Sequence, residues 1–381
     1  MQANLILKGG RVIDPESGLD EVTDISVSGS HIHCIDKNIG THGSTVVDCT
    51  GLIVTPGLID LHTHVYWGGT SIGVDPKVHA DKSACTTLVD AGTSGPGNFA
   101  GFLDHVINPT DVRIIPFINL SFAGIFAFSE KVMFGESANL ELLNADEALE
   151  IIQKHCDLIA GIKVRVGSHA SGTLGIEPML IALEVCEETG LPLMCHLDNP
   201  PPSREAVVSR LRPGDILTHC FKPFPNAPVR YRDGKIYEEI MAARERGVIF
   251  DIGHGAGSFS FATGRAMIEA GFKPDTISSD IHCLSVNGPV FDQLLTLSKF
   301  LALGMSLNEV IDCSTRKPAD AINRPDLGRL KPNAIADISI LSLTDGNFDL
   351  VDTCNESIHA KQRLSAAGVV RSGKYLNLGK I

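Results

Sequence analysis

The feature that most constrains this chain is a repeated alternation through its middle. Apolar runs of strand length are separated by helix-length amphipathic segments. Eight runs qualify: Leu58 to His64, Thr86 to Thr93, Val112 to Leu120, Gly161 to Val166, Pro192 to Leu197, Ile216 to Phe221, Val248 to His254 and Thr276 to His282. Between them, segments such as Asp146 to His155 and Pro178 to Thr189 place apolar residues at the 3.6-residue helical period. Near-continuous apolar strands alternating with helices indicate a parallel sheet covered on both faces. Eight such units over roughly 270 residues fit an α/β fold of the (β/α)₈ TIM barrel type, typically ~250 residues. A doubly wound open sheet would require a glycine-rich phosphate turn after its first strand, and none stands there.

The two ends read differently. Asn4 to Leu7, Arg11 to Ile13, Thr23 to Val27 and His31 to Ile35 are short strand patterns broken by Gly9-Gly10 and Gly29-Ser30. Near the other end Ala336 to Leu341 alternates, and Gly368 to Leu376 has the pattern of a hairpin. The expectation is a small β-sandwich domain from residues 1–54 and 328–381 flanking a barrel over 55–327.

The formal net charge is −13. That argues against nucleic acid and anionic membrane surfaces as partners, because both require clustered Lys and Arg. It leaves small substrates open, since a metal or an Arg can invert the field inside one pocket. No run approaches the ~18 apolar residues of a membrane span, and MQANLILKGGRVIDP lacks the apolar core of a secretory signal. Ten cysteines without a CxxC pair read as reduced thiols. A cytoplasmic protein is expected, with a homo-oligomer left open.

The chemistry begins at His62-Thr63-His64, where strand periodicity points both imidazoles to one side. Taken singly, such a pair is more readily structural than ligating. Later strand ends repeat the theme with Lys163, His196, His219 and Asp280, on strands 4, 5, 6 and 8 in turn. Catalytic groups of (β/α)₈ enzymes come from several strand C-termini. Imidazole and carboxylate suit Zn²⁺ or a similar ion.

These residues, with GLIVTPGLIDLHTH and the exit segment STRKPADAINRPDLGRLKPNAIADISIL, resemble the amidohydrolase superfamily over essentially the whole chain. HTHVYWGGT, TTLVDAGTSG, GIKVR, THCF, Phe250 to Gly255 and Ser279 to His282 resemble its deacetylase-like branch, whose members are often labelled dihydroorotases. The resemblance implies two divalent metal ions, with Zn²⁺ expected. His62, His64 and Asp280 would hold the buried ion, His196 and His219 the more exposed one, and a carboxylated Lys163 would bridge both. Chemistry supports the last role: an ammonium cannot ligate a cation, whereas a neutral buried amine can capture CO₂ as an anionic carbamate.

The implied reaction is cleavage of an acyl amide or ester of a small N- or O-acetyl hydroxy or amino acid by a metal-bound hydroxide. Asp280 would be the catalytic proton carrier. A cyclic-amide hydrolase of dihydroorotase type and a purine or ring deaminase are the alternatives. Dihydroorotases and hydantoinases carry a polar reader soon after His-x-His, where this chain has Val65-Tyr66-Trp67-Gly68-Gly69. Mononuclear deaminases of the superfamily generally lack the strand-4 lysine. A scaffold without activity is disfavoured because all six ligand positions are kept.

Periodicity extends the substrate site. Arg165 lies two residues beyond Lys163 and should face the same interior, where it would read a substrate carboxylate or clamp a neighbouring loop. His282 follows Asp280 by the same step, and His254 ends the seventh run; either would bond a leaving group or serve structure. Tyr66 and Trp67 would wall an apolar group or simply pack. Cys195 and Cys220 fall on the alternate face and should pack between strand and helix.

Overall fold

A computed structural model describes residues 4–379; the ends of the proposed β domain, 1–3 and 380–381, lie outside the described residues. Five strands open the chain: β1 Leu5–Asp14, β2 Leu19–Ser28, β3 His31–Asp36, β4 Thr45–Asp48 and β5 Ile53–Pro56. Seven follow through the middle: β6 Leu58–Thr63, β7 Cys85–Ala91, β8 Arg113–Asn119, β9 Gly161–Val166, β10 Leu193–Leu197, β11 Ile216–Thr218 and β12 Ile249–Phe250. The last three are β13 Ile338–Val351, β14 Ser357–Arg371 and β15 Lys374–Asn377.

The outer strands form one mixed sheet in the order β15-β14-β13-β5-β1-β2-β3, with β4 also on β1. Both chain ends therefore build one unit. Seven of its eight strands follow one hydrogen-bonded path, and β4 pairs with β1 off that path. A separate apolar cluster including Leu7, Val12, Ile25, Val54, Ile338 and Val370 holds this sheet together. The β13–β14 hairpin breaks register at Ile340/Leu341 and at Asp345/Phe348. Such breaks bend a strand and increase its local twist.

The middle strands form a curled parallel sheet in simple chain order, β6 through β12. Helices lie between strands and carry ordinary end signals. Asn144 accepts from the Glu147 N–H to start Ala145–Lys154, and Gly190, at φ 71°, ends Glu177–Thr189. Inside the curl, Ile59, Leu61, Val89, Ala91, Ile115, Phe117, Met194 and Ile216 pack into one cluster. The alternate residues Ile162, Val164, Cys195, Leu217 and Cys220 join the larger cluster toward the helices. All ten cysteines are free.

The last of the eight runs, Thr276 to His282, is not a regular strand. It makes parallel bridges on both sides, Thr276 to Asp251 and Ile281 to Thr63. Its backbone reaches both edges of the curl: the Ile252 N–H donates to Thr276, the Asp280 N–H to His62 at 2.7 Å, and the His64 N–H to Ile281. Two features interrupt its ladder. Ser279 donates its N–H and its hydroxyl to the buried Asp60, and Asp280 adopts φ 48°. A left-handed conformation in a non-glycine residue is costly and clusters at functional sites. His219, at φ 64°, has the same property.

Candidate metal centre and active site

A β-bulge aims the first two histidines. The β6–β7 register slips between Asp60 and Thr63, so His62 and His64 line a cavity although Ile59 and Leu61 pack in the cluster beneath it. The parallel register sets Lys163 beside Met194, and Arg165 beside His196. The next pairing sets His196 beside Thr218. The resulting cavity, about 290 Å³, is lined by His62, His64, Lys163, Arg165, His196, His219, Asp280 and His282. Its wall is completed by Ile72, Ile125, Phe128, Met133, Leu284 and residues 256–258.

The His62 and His64 imidazoles are each held by a hydroxyl that is itself committed to a carboxylate. The Thr218 hydroxyl donates to Asp251 at 2.8 Å and stands 2.8 Å from His62 Nδ1. The Thr93 hydroxyl donates to Asp90 at 2.7 Å and stands 2.9 Å from His64 Nδ1. A hydroxyl has one proton to give. With that proton on the carboxylate, each imidazole must donate from Nδ1, which leaves its Nε2 lone pair toward the cavity. His219 is fixed likewise, with Nδ1 at 2.7 Å from the Gly253 carbonyl.

These lone pairs converge. His62 Nε2 and His64 Nε2 stand 3.4 and 3.3 Å from the same Asp280 oxygen. Donor atoms of His62, His64 and Asp280 all lie within 4.8 Å of one another. Lys163 Nζ is 3.4 Å from His62 Nε2, and His196 Nδ1 is 2.7 Å from His219 Nε2. His196 Nε2 is buried without a partner. Three electron-pair donors facing one another, with an orphaned imidazole nitrogen lining the same cavity, fit a cation.

Burial sets the charge states. It holds His62, His64, His196 and His219 well below the usual imidazole range, so they are neutral. It lifts the Asp280 carboxyl to about 6 and pulls the Lys163 ammonium down to about 8. A lysine at about 8 has a neutral-amine fraction at pH 7 roughly 10²-fold above that of an ordinary lysine.

The model of the amidohydrolase family matches residues 256–375, which run from the wall of this cavity through Asp280 into the mixed sheet. A deacetylase from Brucella anthropi is 34% identical over 336 residues, covering 88% of this chain and 83% of that protein. The chain belongs to the amidohydrolase family. The crystal structure of an adenine deaminase superposes with a TM-score of 0.91 at 27% identity, covering 99% of this chain and all of the other. That of a dihydroorotase gives 0.90 at 29%, with the same coverage. One fold thus carries several activities, and substrate must be argued from the pocket. As an amidohydrolase, the chain is a metal-dependent hydrolase of the deacetylase-like branch.

Of the substrate-site candidates, Arg165 and His282 line the amidohydrolase cavity. His282 accepts the Leu284 N–H at Nδ1, and burial pushes it down to about 4, so it is neutral. His254 does not line the cavity. It is hydrogen-bonded to the buried Lys299 side chain at 2.7 Å, and its ring lies tilted against Phe259 with centroids 4.7 Å apart. Tyr66 also turns away and stacks on Phe102 at 4.8 Å. The chain folds back over Tyr66 at Gly69, where a Cβ would fall 2.0 Å from the ring. Trp67 is half exposed and outside the cavity.

Several residues at the site carried no signal in the sequence. Phe128 and Met133 form the cavity wall from a hairpin-like turn closed by their own bridge. Glu136 lies beyond that turn, fully buried, and accepts from Arg165 at 3.3 Å. The Thr–Asp pairs behind His62 and His64 lie within TTLVDAGTSG, THCF and Phe250 to Gly255, yet only the spatial register reveals their pairing.

Proposed function

We propose that this chain is a binuclear hydrolase that cleaves an acyl amide or ester of a small carboxylate-bearing acid, built on a (β/α)₈ barrel whose eighth strand is Thr276–His282. The observation that carries the reading is the convergence of neutral imidazole lone pairs, Asp280 and Lys163 at one cavity. His62, His64 and Asp280 would hold one ion, His196 and His219 the other, and Lys163, as its carbamate, both. Lys163 is suited to that state because its amine is buried and pulled toward neutrality. When bound, such ions lower the pKa of water toward ~7 and polarise an acyl oxygen.

The chain's own groups do the rest. Water adds to the acyl carbon and its proton passes to Asp280, the buried carboxylate lining the cavity. The C–N or C–O bond breaks, and the same proton goes to the departing nitrogen or oxygen. Arg165, beside His196 on the neighbouring strand, pairs with the substrate carboxylate. Neutral His282 offers an Nε2–H donor at the mouth. The apolar wall of Ile72, Ile125, Phe128, Met133 and Leu284 excludes water around the acyl group.

The similarity to an adenine deaminase structure supports a second reading, deamination of a ring. One screen separates the two. N-acetyl and O-acetyl acids of both chiralities are assayed beside cyclic amides, with ammonia release followed in parallel. Acetate release from a carboxylate-bearing substrate is expected. Ammonia release from a purine, with no acyl hydrolysis, would replace the hydrolase reading.

A further inference from the structure

Arg165 is the one cation among the cavity-lining side chains besides Lys163, and its surroundings define how it can be used. A single hydrogen bond ties it to the protein, from Nη1 to Glu136 Oε2 at 3.3 Å. Its guanidinium also lies over the Phe128 ring, 5.4 Å from the centroid. A guanidinium has five N–H donors. Among the described residues no other acceptor is recorded for Arg165, so most of its donors remain for a ligand.

Glu136 is the unusual partner. Its side chain is fully buried, and its second oxygen has no hydrogen-bond partner. A buried carboxylate is tolerated only beside a compensating charge. Arg165 is the only ion-pair partner recorded for Glu136 among the described residues. The two groups thus hold each other, with the Phe128 ring against the guanidinium and Arg165 lining the cavity. Glu136 sits on the Ser121–Leu143 connection, whose ends are bridged to each other and which also supplies Ile125, Phe128 and Met133 to the cavity wall.

We propose that Glu136 is a positioning and specificity-determining residue, which fixes Arg165 so that the site selects substrates bearing a carboxylate. This rests on the reading of Arg165 as the carboxylate reader. Preorganisation is the physical gain. An arginine held in one rotamer loses less freedom when it binds than one free to swing. The preference should therefore appear in KM, because the contact is equally present in ground and transition states.

The test compares Glu136→Gln, Glu136→Ala and Arg165→Met with wild type on an acylated acid and on its neutral methyl ester. Circular dichroism and zinc content control for folding. Glu136→Gln keeps volume and an acceptor but removes the charge. It is expected to raise KM for the acid about 5- to 10-fold, with kcat and the ester's kinetics within 2-fold; Glu136→Ala should raise it further. Arg165→Met should abolish the preference for acid over ester. An equal rise in KM for acid and ester in the Glu136 variants would make Glu136 merely structural and overturn the proposal. So would a fall in KM for the acid, since Glu136 would then be repelling the substrate. If Arg165→Met leaves the preference intact, the carboxylate-reader reading itself fails. If Arg165→Met abolishes it and Glu136→Gln does not change it, only the role of Glu136 fails.

Discussion

Replacing Thr218 by Val removes one hydroxyl and almost no volume, and it should weaken metal binding without unfolding the chain. In the wild type the hydroxyl accepts from His62 Nδ1 and donates to Asp251, both at 2.8 Å. Asp251 keeps two further donors, Thr276 and Ser278, so most of the loss falls on His62. Without the hydroxyl, the metal-free imidazole can move its proton to Nε2 and donate to Asp280, 3.4 Å away. Metal binding must then drive the proton back to Nδ1, where the nearest acceptor, Asp251, stands 3.7 Å away, beyond hydrogen-bond distance. An unsatisfied buried donor costs about 1–3 kcal/mol. That corresponds to roughly a 5- to 150-fold loss of affinity, in line with the ~10–100-fold typical of groups behind metal ligands. Zinc affinity of the apoprotein would be measured by competition with a chromogenic chelator. Thr218→Ser, which keeps the hydroxyl, should stay within about 3-fold of wild type. A folded Thr218→Val protein with unchanged affinity would refute the tautomer argument, as would an equal loss in Thr218→Ser.

Other outcomes follow from the same geometry. Asp280→Asn should lower kcat by about 10²–10⁴-fold, the range for a lost general acid–base group, in stopped-flow or steady-state assays of the zinc-loaded protein; near-wild-type turnover would remove Asp280 from proton transfer. Gly255→Ala should also depress kcat, because at φ 53° its Cβ would lie 2.3 Å from an Asp280 oxygen; full activity would mean this loop yields freely. Buried Lys299 is pulled down to about 7, so above that pH the unfolded chain binds more protons than the native one, and stability should rise with pH up to the unfolded value near 10.5. Relative to Lys299→Met, the wild type should gain up to ~1.4 kcal/mol per pH unit between pH 7 and 10 in urea unfolding; parallel pH profiles would contradict the burial of a neutral amine.

The sequence was most informative where chemistry and periodicity coincide. His62 and His64 could be read as a pair because a strand turns alternate residues to one side, and Lys163 and Arg165 follow the same rule. The parallel sheet was legible because its strands are apolar on both faces. Closer to the site the rules fail for physical reasons. The seventh strand run, Val248 to His254, shrinks to Ile249–Phe250 because the chain turns through Gly253 and Gly255, both at positive φ. The eighth loses its ladder where Ser279 bonds Asp60 and Asp280 leaves the extended region. Tyr66 and Trp67 adjoin the histidines in sequence, yet Gly69 folds their loop away from the cavity. Glu136 and Phe128 sit on a long connection without period, so no pattern could place them beside Arg165.

Whether six side chains hold two cations is decided by titrating metal-free protein with Zn²⁺ in bicarbonate buffer and counting tightly bound ions per chain by elemental analysis. Two equivalents are expected in the wild type, with a loss of binding in Lys163→Ala. A single equivalent that Lys163→Ala leaves untouched, or no tight binding at all, would contradict the two-cation centre.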